Sequence, residues 1–435
     1  MSTASTTITA LAGRGPVERY TVSPAAAEAP SPAAAPAVPG RLLTGTLLVS
    51  STLTIMAAAI IAPSLPEMQQ VFSGVPAADL LVRLTVTITS LAIGITAAVV
   101  GGVSDRFGRK PVLVASLVLY AVAGTAGWFL SDLYLLLGAR ALLGVAVGGI
   151  TISVSALITD WFDGPRRAAF LGRQAAFASL GGVVFLPLSG VLAGVAWDAP
   201  FWVYAVSLLV VPFAVVGVRE ARSRTAAPAD RAAVPHGADR RPRVTGSLAL
   251  VYAVAWAGTL VFFMAPTQLP FLLQGFNAST TMVGVAVAGS TASSALAAVG
   301  YARVRRVLSQ ELVTALSLGL LGAGWLVIGV AGSLPLVVLG TLVGGLGVGL
   351  VIPNLNLWVA GLVPAARRGR ALGGLVSAIF LGQFASPLLL QPVVSALGAS
   401  GAFLVTGAAA GLGAVALALV LPRRDRASHG WAVRP

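Results

Sequence analysis

Along most of this chain, apolar residues neither alternate with polar ones at strand period nor keep to one face of a helix. They run on without a charge for about 20 residues at a time. A helix rises about 1.5 Å per residue, so a run of that length crosses the roughly 30 Å of hydrocarbon in a bilayer. Twelve such runs are legible, at about 43–63, 81–102, 111–130, 133–158, 168–193, 200–218, 246–272, 280–300, 311–331, 335–358, 371–393 and 400–421. Lipid offers backbone N–H and C=O groups no partner, so the runs are expected to be helices rather than open sheet. The pattern predicts an all-α membrane protein with twelve transmembrane helices, numbered 1 to 12 below.

The breaks between runs divide the chain. Residues 1–40 are rich in Ala, Pro, Ser and Thr, include Pro24, Pro30, Pro32, Pro36 and Pro39, and lack the apolar core of a signal peptide. They read as a disordered tail. Residues 219–245 form the longest polar interruption, with seven arginines against Glu220, Asp230 and Asp239. They read as a flexible basic linker between a six-helix bundle at 41–218 and a second at 246–421, and residues 422–435 are a closing tail.

Composition narrows the class. Of the 435 residues 57% are hydrophobic and 10% charged, against roughly 25% charged in an ordinary soluble domain. Such a chain cannot cover itself with a polar surface, and it is too apolar to be disordered throughout. It has no cysteine and two histidines, His236 and His429, both in polar stretches. Disulfides, thiolate nucleophiles and metal sites are therefore not expected, and no nucleotide loop, paired-carboxylate cleft or Ser/His/Asp arrangement suggests an enzyme or a cofactor.

The formal charge of +14 would suggest nucleic acid in a soluble protein, but its placement explains it otherwise. All but Arg83 and Arg140 of the 28 basic residues fall in the tails, in alternate connections, or at the edges facing them. The intervening connections carry Glu67, Asp79, Asp132 and Asp198. The positive-inside rule then puts both termini in the cytoplasm, which twelve spans allow. Attraction to anionic lipid is a secondary consequence, and nucleic-acid binding is not expected.

Positions about 200 apart match in one register. Thr44-Gly45-Thr46 faces Thr245-Gly246-Ser247, Gly144 and Gly148 face Gly345 and Gly349, and Arg167, Leu171 and Gly172 face Arg368, Leu372 and Gly373. Ala62-Pro63-Ser64-Leu65-Pro66 faces Ala265-Pro266-Thr267-Gln268-Leu269-Pro270 with one insertion. Two bundles related by a pseudo-twofold axis normal to the membrane suit a transporter whose substrate lies between them near mid-membrane.

The connection after helix 2 holds Gly101, Asp105, Arg106, Gly108, Arg109 and Lys110 in the spacing G-x-x-x-D-R-x-G-R-K. This resembles the loop between helices 2 and 3 of major facilitator superfamily transporters. The second-half loop 300–306 keeps glycine and arginines but has Val304 where the acid would fall. The resemblance implies that Asp105 latches onto the start of helix 11, near Arg370, when the inner gate is closed; a purely topogenic basic loop is the alternative. Gly101 would let helices approach and Gly108 would permit the tight turn.

Helix 4 holds Arg140, Gly144 and Gly148 in a run similar to a second family motif, which implies that Arg140 handles protons or an anionic substrate group. A charge about 10 Å along a membrane helix is a functional signal by default; the alternative is an arginine snorkelling outward to Asp132. Helix 5 holds Pro187 and Gly190 in a run similar to the G-P-x-x-G-G motif of antiporter branches, with Leu186 and Ser189 departing from it. Pro187 should still kink the helix. Helix 11, from Arg370 to Pro387, resembles stretches of bacterial drug and sugar efflux members.

In that family helices 1, 4, 7 and 10 line the cavity. Trp256 and Gln268 of helix 7, Asn354 and Asn356 of helix 10 and Gln383 of helix 11 are the candidates to meet substrate or protons, since unpaired amides are costly in lipid. Ser51 and Thr54 would add hydroxyls. No carboxylate falls clearly inside hydrocarbon, so a proton would be handled at a mouth carboxylate together with Arg140. The expectation is a monomeric, multi-pass transporter of the cytoplasmic membrane that exports a small organic molecule in exchange for protons. Uptake or facilitated passage of a sugar or metabolite, and a non-transporting receptor or scaffold on the same fold, are the alternatives.

Overall fold

Each predicted apolar run is helical in the computed structural model, which describes residues 40–162, 164–218 and 241–429. No strand occurs among the described residues. All but Gly40 of the expected tail at 1–40, and all but the last residues of the linker, lie outside them. Helix 1 runs Arg41–Ala59 and continues through a 3₁₀ turn, Ala62–Ser64, into Leu65–Val71. Helix 2 is Ala78–Phe107, helix 3 Arg109–Thr125, helix 4 Leu133–Trp161 and helix 5 Gly164–Ala193. Helix 6 opens as a 3₁₀ stretch, Ala199–Ala205, before Val206–Gly217. In the second half, helix 7 comprises Arg241–Phe262 and Met264–Gln274. Helices 8, 9 and 10 are Thr280–Val304, Gln310–Gly329 and Leu334–Leu362.

Among the described residues eleven helical stretches are long and apolar enough to cross a membrane. The last, within Ala365–His429, holds two spans, because Gly398 takes φ 72° and ψ 173° and breaks it into helices 11 and 12. No polar loop separates these two. One glycine in a conformation that disfavours a Cβ makes the turn. Several helices also outrun their apolar cores: helix 2 continues through Arg106 to Phe107, so the basic loop is largely the helix end itself.

Helix 1 begins on what we call the start face, and successive helices reverse. The connections after helices 2, 4, 8 and 10 lie on that face, and those after helices 1, 3, 5, 7, 9 and 11 on the far face. Close helix pairs are built on small residues, as expected where lipid supplies no hydrophobic drive between helices. A Cβ on Gly144 would collide with the Thr89 carbonyl oxygen of helix 2, and one on Gly148 would press within 3.3 Å of Thr96 Cβ. Gly345 and Gly349 of helix 10 meet Ser290, Ser293, Ser294 and Ala297 of helix 8 in the same way. A single offset of 201 residues relates Gly144 to Gly345, Thr89 to Ser290 and Thr96 to Ala297. The internal repeat is thus a repeat of contacts, and the chain is two pseudo-symmetric six-helix bundles.

A second contact is shared by the two bundles. Helix 1 breaks after Ala59 beside Pro63, and helix 7 breaks after Phe262 beside Pro266. Just before each break an aromatic side chain from two helices onward binds a carbonyl. Tyr120 donates its hydroxyl to Leu53 O at 2.9 Å, and Trp325 donates its indole N–H to Val261 O at 2.9 Å.

The halves meet chiefly through helix 5 against helix 8 and helix 2 against helix 11. Toward the far face the approach is tight: a Cβ on Gly190 would strike Thr280 and Thr281, and one on Gly284 would strike the Leu186 carbonyl. Toward the start face several glycines of the same helices have no close neighbour. A Cβ on Gly102, Gly172, Gly300, Gly369 or Gly373 would find nothing within 4 Å.

Gly324 of helix 9 sits against Gly340 and Gly344 of helix 10, where a Cβ would overlap backbone atoms. Gly324→Val is expected to cost about 1–3 kcal/mol or more through overpacking and to cut the yield of monodisperse protein in fluorescence-detected gel filtration. Gly138, with nothing within 4 Å, should accept Ala without loss in the same assay.

Candidate functional site

Four constellations stand out: the first two include contacts between the halves, and the others lie within the first bundle. At the far face Arg83, in the second turn of helix 2, is 5% exposed. Its Nε donates to Gln268 Oε1 of helix 7 at 3.1 Å, and Nη1 donates to Gln69 Oε1 at 3.3 Å and to Asp79 O at 2.5 Å. The guanidinium carbon stands 4.0 Å from the centre of the Phe271 ring, a cation–π distance. Gln268 in turn donates to Gln391 Oε1 of helix 11 at 3.4 Å. One arginine therefore ties helices 1, 2 and 7 together, and the tie extends to helix 11 through Gln268. It closes the far face across the two halves.

Below this closure, Ser90 of helix 2 donates to Gln383 Oε1 of helix 11 at 2.8 Å. Toward the start face a cavity of about 170 Å³ opens between helices 1, 4 and 5. Its polar lining comes from Ser51, Thr54, Thr151 and Gln174, and its apolar wall includes Ile150, Val154 and Leu171. Far face sealed and a cavity open toward the start face is the geometry of one end state of a transport cycle.

Arg140 is fully buried inside the first bundle. Its Nε donates to Thr85 O at 3.0 Å, its Nη1 donates to the Tyr204 hydroxyl at 2.7 Å, and its Nη2 donates to Ala57 O. Tyr204 also donates to Ala57 O, at 3.2 Å. The ordinary helical run of helix 1 ends with Ile60 N–H on Met56 O, and Ser64 N–H bonds Ile61 O instead of Ile60 O. The Ile60 carbonyl is taken by the Ser189 hydroxyl of helix 5. Ser189 departs from the glycine of the resembled motif, and here its hydroxyl braces the break in helix 1. Asp132 does not pair with Arg140: it caps helix 4, accepting from Tyr134 N and Leu135 N at 2.8 and 2.9 Å.

At the start face Gly108 takes φ 92° between helices 2 and 3, a conformation that favours glycine. Arg109 pairs with Asp160 at the end of helix 4 and donates to Ala156 O at 3.1 Å. Arg106 is exposed, 5.7 Å from the Phe107 ring, and Lys110 is half-buried. The surroundings of Gly101 and the side chain of Asp105 lie outside the described residues.

The remaining candidates separate. Gln268 joins the far-face closure and Gln383 the helix 2–helix 11 contact. Asn354 is buried between helices 8, 9 and 10: it accepts from the Tyr301 hydroxyl at 3.0 Å and donates to Gln310 O and Thr314 Oγ1, both at 2.8 Å. Asn356 is exposed and donates to Ile352 O at 2.9 Å. Trp256 is 36% exposed. The fold does not bring these three together with Arg140. Gly144 and Gly148 pack helix 4 on helix 2, Pro187 lies inside helix 5, and Gly190 lies on the interface between halves. The sequence reading passed over Arg83, Gln69, Phe271, Gln391, Thr151 and Gln174. For Arg83 the signal was there, a charge inside an apolar run.

Arg140→Gln should lower the thermal unfolding midpoint strongly, because a shorter neutral side chain leaves buried carbonyls unpaired. Tyr204→Phe should cost less, about 1.5–3 kcal/mol for one hydrogen bond to a charged donor. Unchanged midpoints in detergent would show that the buried network does not hold the bundle.

The sequence pattern of the Major Facilitator Superfamily matches residues 47–307 and 248–431. The chain is 26% identical over 327 residues to the tetracycline resistance protein, class C, of Escherichia coli, covering 69% of this chain and 76% of that one. It is 30% identical over 187 residues to the 3-(3-hydroxy-phenyl)propionate transporter of Escherichia coli strain K12, covering 42% of this chain and 46% of that one. The crystal structure of a D-xylose-proton symporter superposes with a TM-score of 0.71 at 18% identity, over 86% of this chain and 96% of that chain.

Proposed function

The chain belongs to the Major Facilitator Superfamily, a multi-pass membrane transporter that moves small solutes by alternating access, and from that premise we propose that it exports a small organic solute across the cytoplasmic membrane in exchange for protons. The observation that carries the alternating-access reading is the asymmetry between the faces. Arg83, Gln268 and the glycines of helices 5 and 8 hold the far face shut while a cavity opens toward the start face. The charge pattern supports a cytoplasmic start face, since the basic loops lie there; the state is then inward-facing.

Export is supported by two features. The helix 5 run around Pro187 and Gly190 resembles that of antiporter branches, and 69% of the chain aligns with a tetracycline resistance protein. Resistance to a compound is consistent with its outward removal, and we carry that direction over. In the opposite state the inner ends close, with Asp105 at the loop after helix 2 meeting the start of helix 11. Protons exchange at carboxylates near the mouths, among which Asp160 already lies against Arg109.

The test is flux in liposomes that hold purified protein and a pH-sensitive dye, screened with drugs, sugars and small acids. Solute-evoked proton movement is expected. Asp105→Asn should reduce flux at least about tenfold at unchanged membrane abundance, because it removes a charge-assisted contact that only the closed inner gate makes. Wild-type flux in that variant overturns the gate assignment, and solute flux without proton movement overturns the coupling.

A further inference from the structure

The membrane interior of this protein carries two buried cations; the exposed Asp79 carboxylate, one turn before Arg83, attracts that guanidinium, and no described carboxylate pairs directly with either group. Arg83 is 5% exposed and Arg140 0%. The acids whose side chains are described, Glu67, Asp79, Asp132, Asp160, Asp198 and Glu311, all sit at helix ends or in connections. Among the described residues the ion pair is Arg109 with Asp160, at the start face. The recorded acceptors around both buried guanidinium groups are neutral oxygens. In low dielectric, two fixed positive charges raise the energy of a cation on the path between the halves and lower that of an anion.

The two arginines are not equivalent. Every recorded partner of Arg140, on helices 1, 2 and 6, belongs to its own half, so rocking one half against the other leaves those bonds intact. Arg83 takes Gln268 and Phe271 from helix 7, in the opposite half. When the far face opens, those two contacts are lost. A guanidinium with five donors is then left with Gln69 and the Asp79 backbone oxygen at the opening of the path, the Asp79 side chain being exposed at the start of helix 2. A planar oxyanion matches the guanidinium fork, and Gln268 and Gln391 bring amide donors from the facing half.

We propose that the solute is an organic anion bearing a carboxylate or a similar oxyanion, and that Arg83 recognises its charge where the two halves meet at the far face. This rests on the transporter reading above and names the charge of its cargo. The anion takes the place of Gln268 and Phe271 on Arg83, so its binding weakens the far-face closure and favours opening on that side, as differential affinity for the two states requires.

The test uses three aryl probes of one shape, 2-naphthoate, 2-naphthamide and 2-naphthylmethylammonium, at constant ionic strength. Binding is read from the thermal unfolding midpoint of the purified full chain, and flux from liposomes holding the same protein. The naphthoate should raise the midpoint and be moved, with affinity about tenfold or more above its neutral and cationic counterparts, the size of one charge-assisted hydrogen bond. Arg83→Gln should abolish that preference. Arg83→Lys should retain a weaker one, since charge survives but the fork does not; a merely structural role for Arg83 would not track charge in this way. Equal response to the three probes, preference for the cation, no response to any, or an unaltered preference in either variant overturns the proposal. Flux of cationic or neutral solutes in the broader screen rejects the anion assignment and leaves the transporter reading standing.

Discussion

The structure depends on one constraint: inside lipid, a carbonyl released from its helix must find another donor. Helix 1 has to break beside Pro63, which has no N–H to give. The break turns the chain through a 3₁₀ segment and leaves the carbonyls of Ala57 and Ile60 to be bonded from elsewhere. Three other helices answer. Helix 4 sends Arg140 and helix 6 sends Tyr204 to Ala57, and helix 5 sends Ser189 to Ile60. Arg140, Tyr204 and Ser189 are fully buried beside the point where the backbone of helix 1 is open. A buried arginine is expensive in hydrocarbon, and here one of its bonds goes to the Ala57 carbonyl beside the break.

The same break recurs in helix 7 with a different answer. Trp325 binds Val261 O and stacks on Phe262, and the position matching Arg140 in the repeat is Thr341, which bonds its own helix at Val338 O. The two halves thus share geometry while differing in charge. Pseudo-symmetry fixes where the helices cross, through glycines spaced 201 residues apart. It leaves the electrostatics free to differ, and the second bundle carries no counterpart to either buried arginine.

Much of this was legible from residue order. The twelve runs and the repeated Gly144/Gly148 and Gly345/Gly349 pairs follow from rules of length and close packing that membranes impose strongly. The direction in which a side chain points was not legible. A membrane helix is apolar on every side, so periodicity does not mark its inward face. Asn354 therefore looked equivalent to Gln268, although the first is locked among Tyr301, Gln310 and Thr314 in one bundle and the second bridges both. Arg83 stood out as a misplaced charge, yet its partner lies 185 residues away, and no local pattern announces such a pair. The turn between helices 11 and 12 was hidden for a related reason: a single left-handed glycine, with no polar loop, gives no compositional signal.

Arg83 and Arg140 show how one residue type serves stability in one place and motion in another. Both are buried, both bind neutral oxygens, and both approach an aromatic ring. What separates them is whether their partners move with them. Arg140 is bound to helices of its own bundle and makes that bundle a rigid body. Arg83 divides its bonds between bundles, so its interaction energy differs between the two ends of the cycle. A bond contributes to conformational preference only by that difference. The rocking of two rigid halves therefore needs both kinds of contact, one that never breaks and one that breaks once in each cycle.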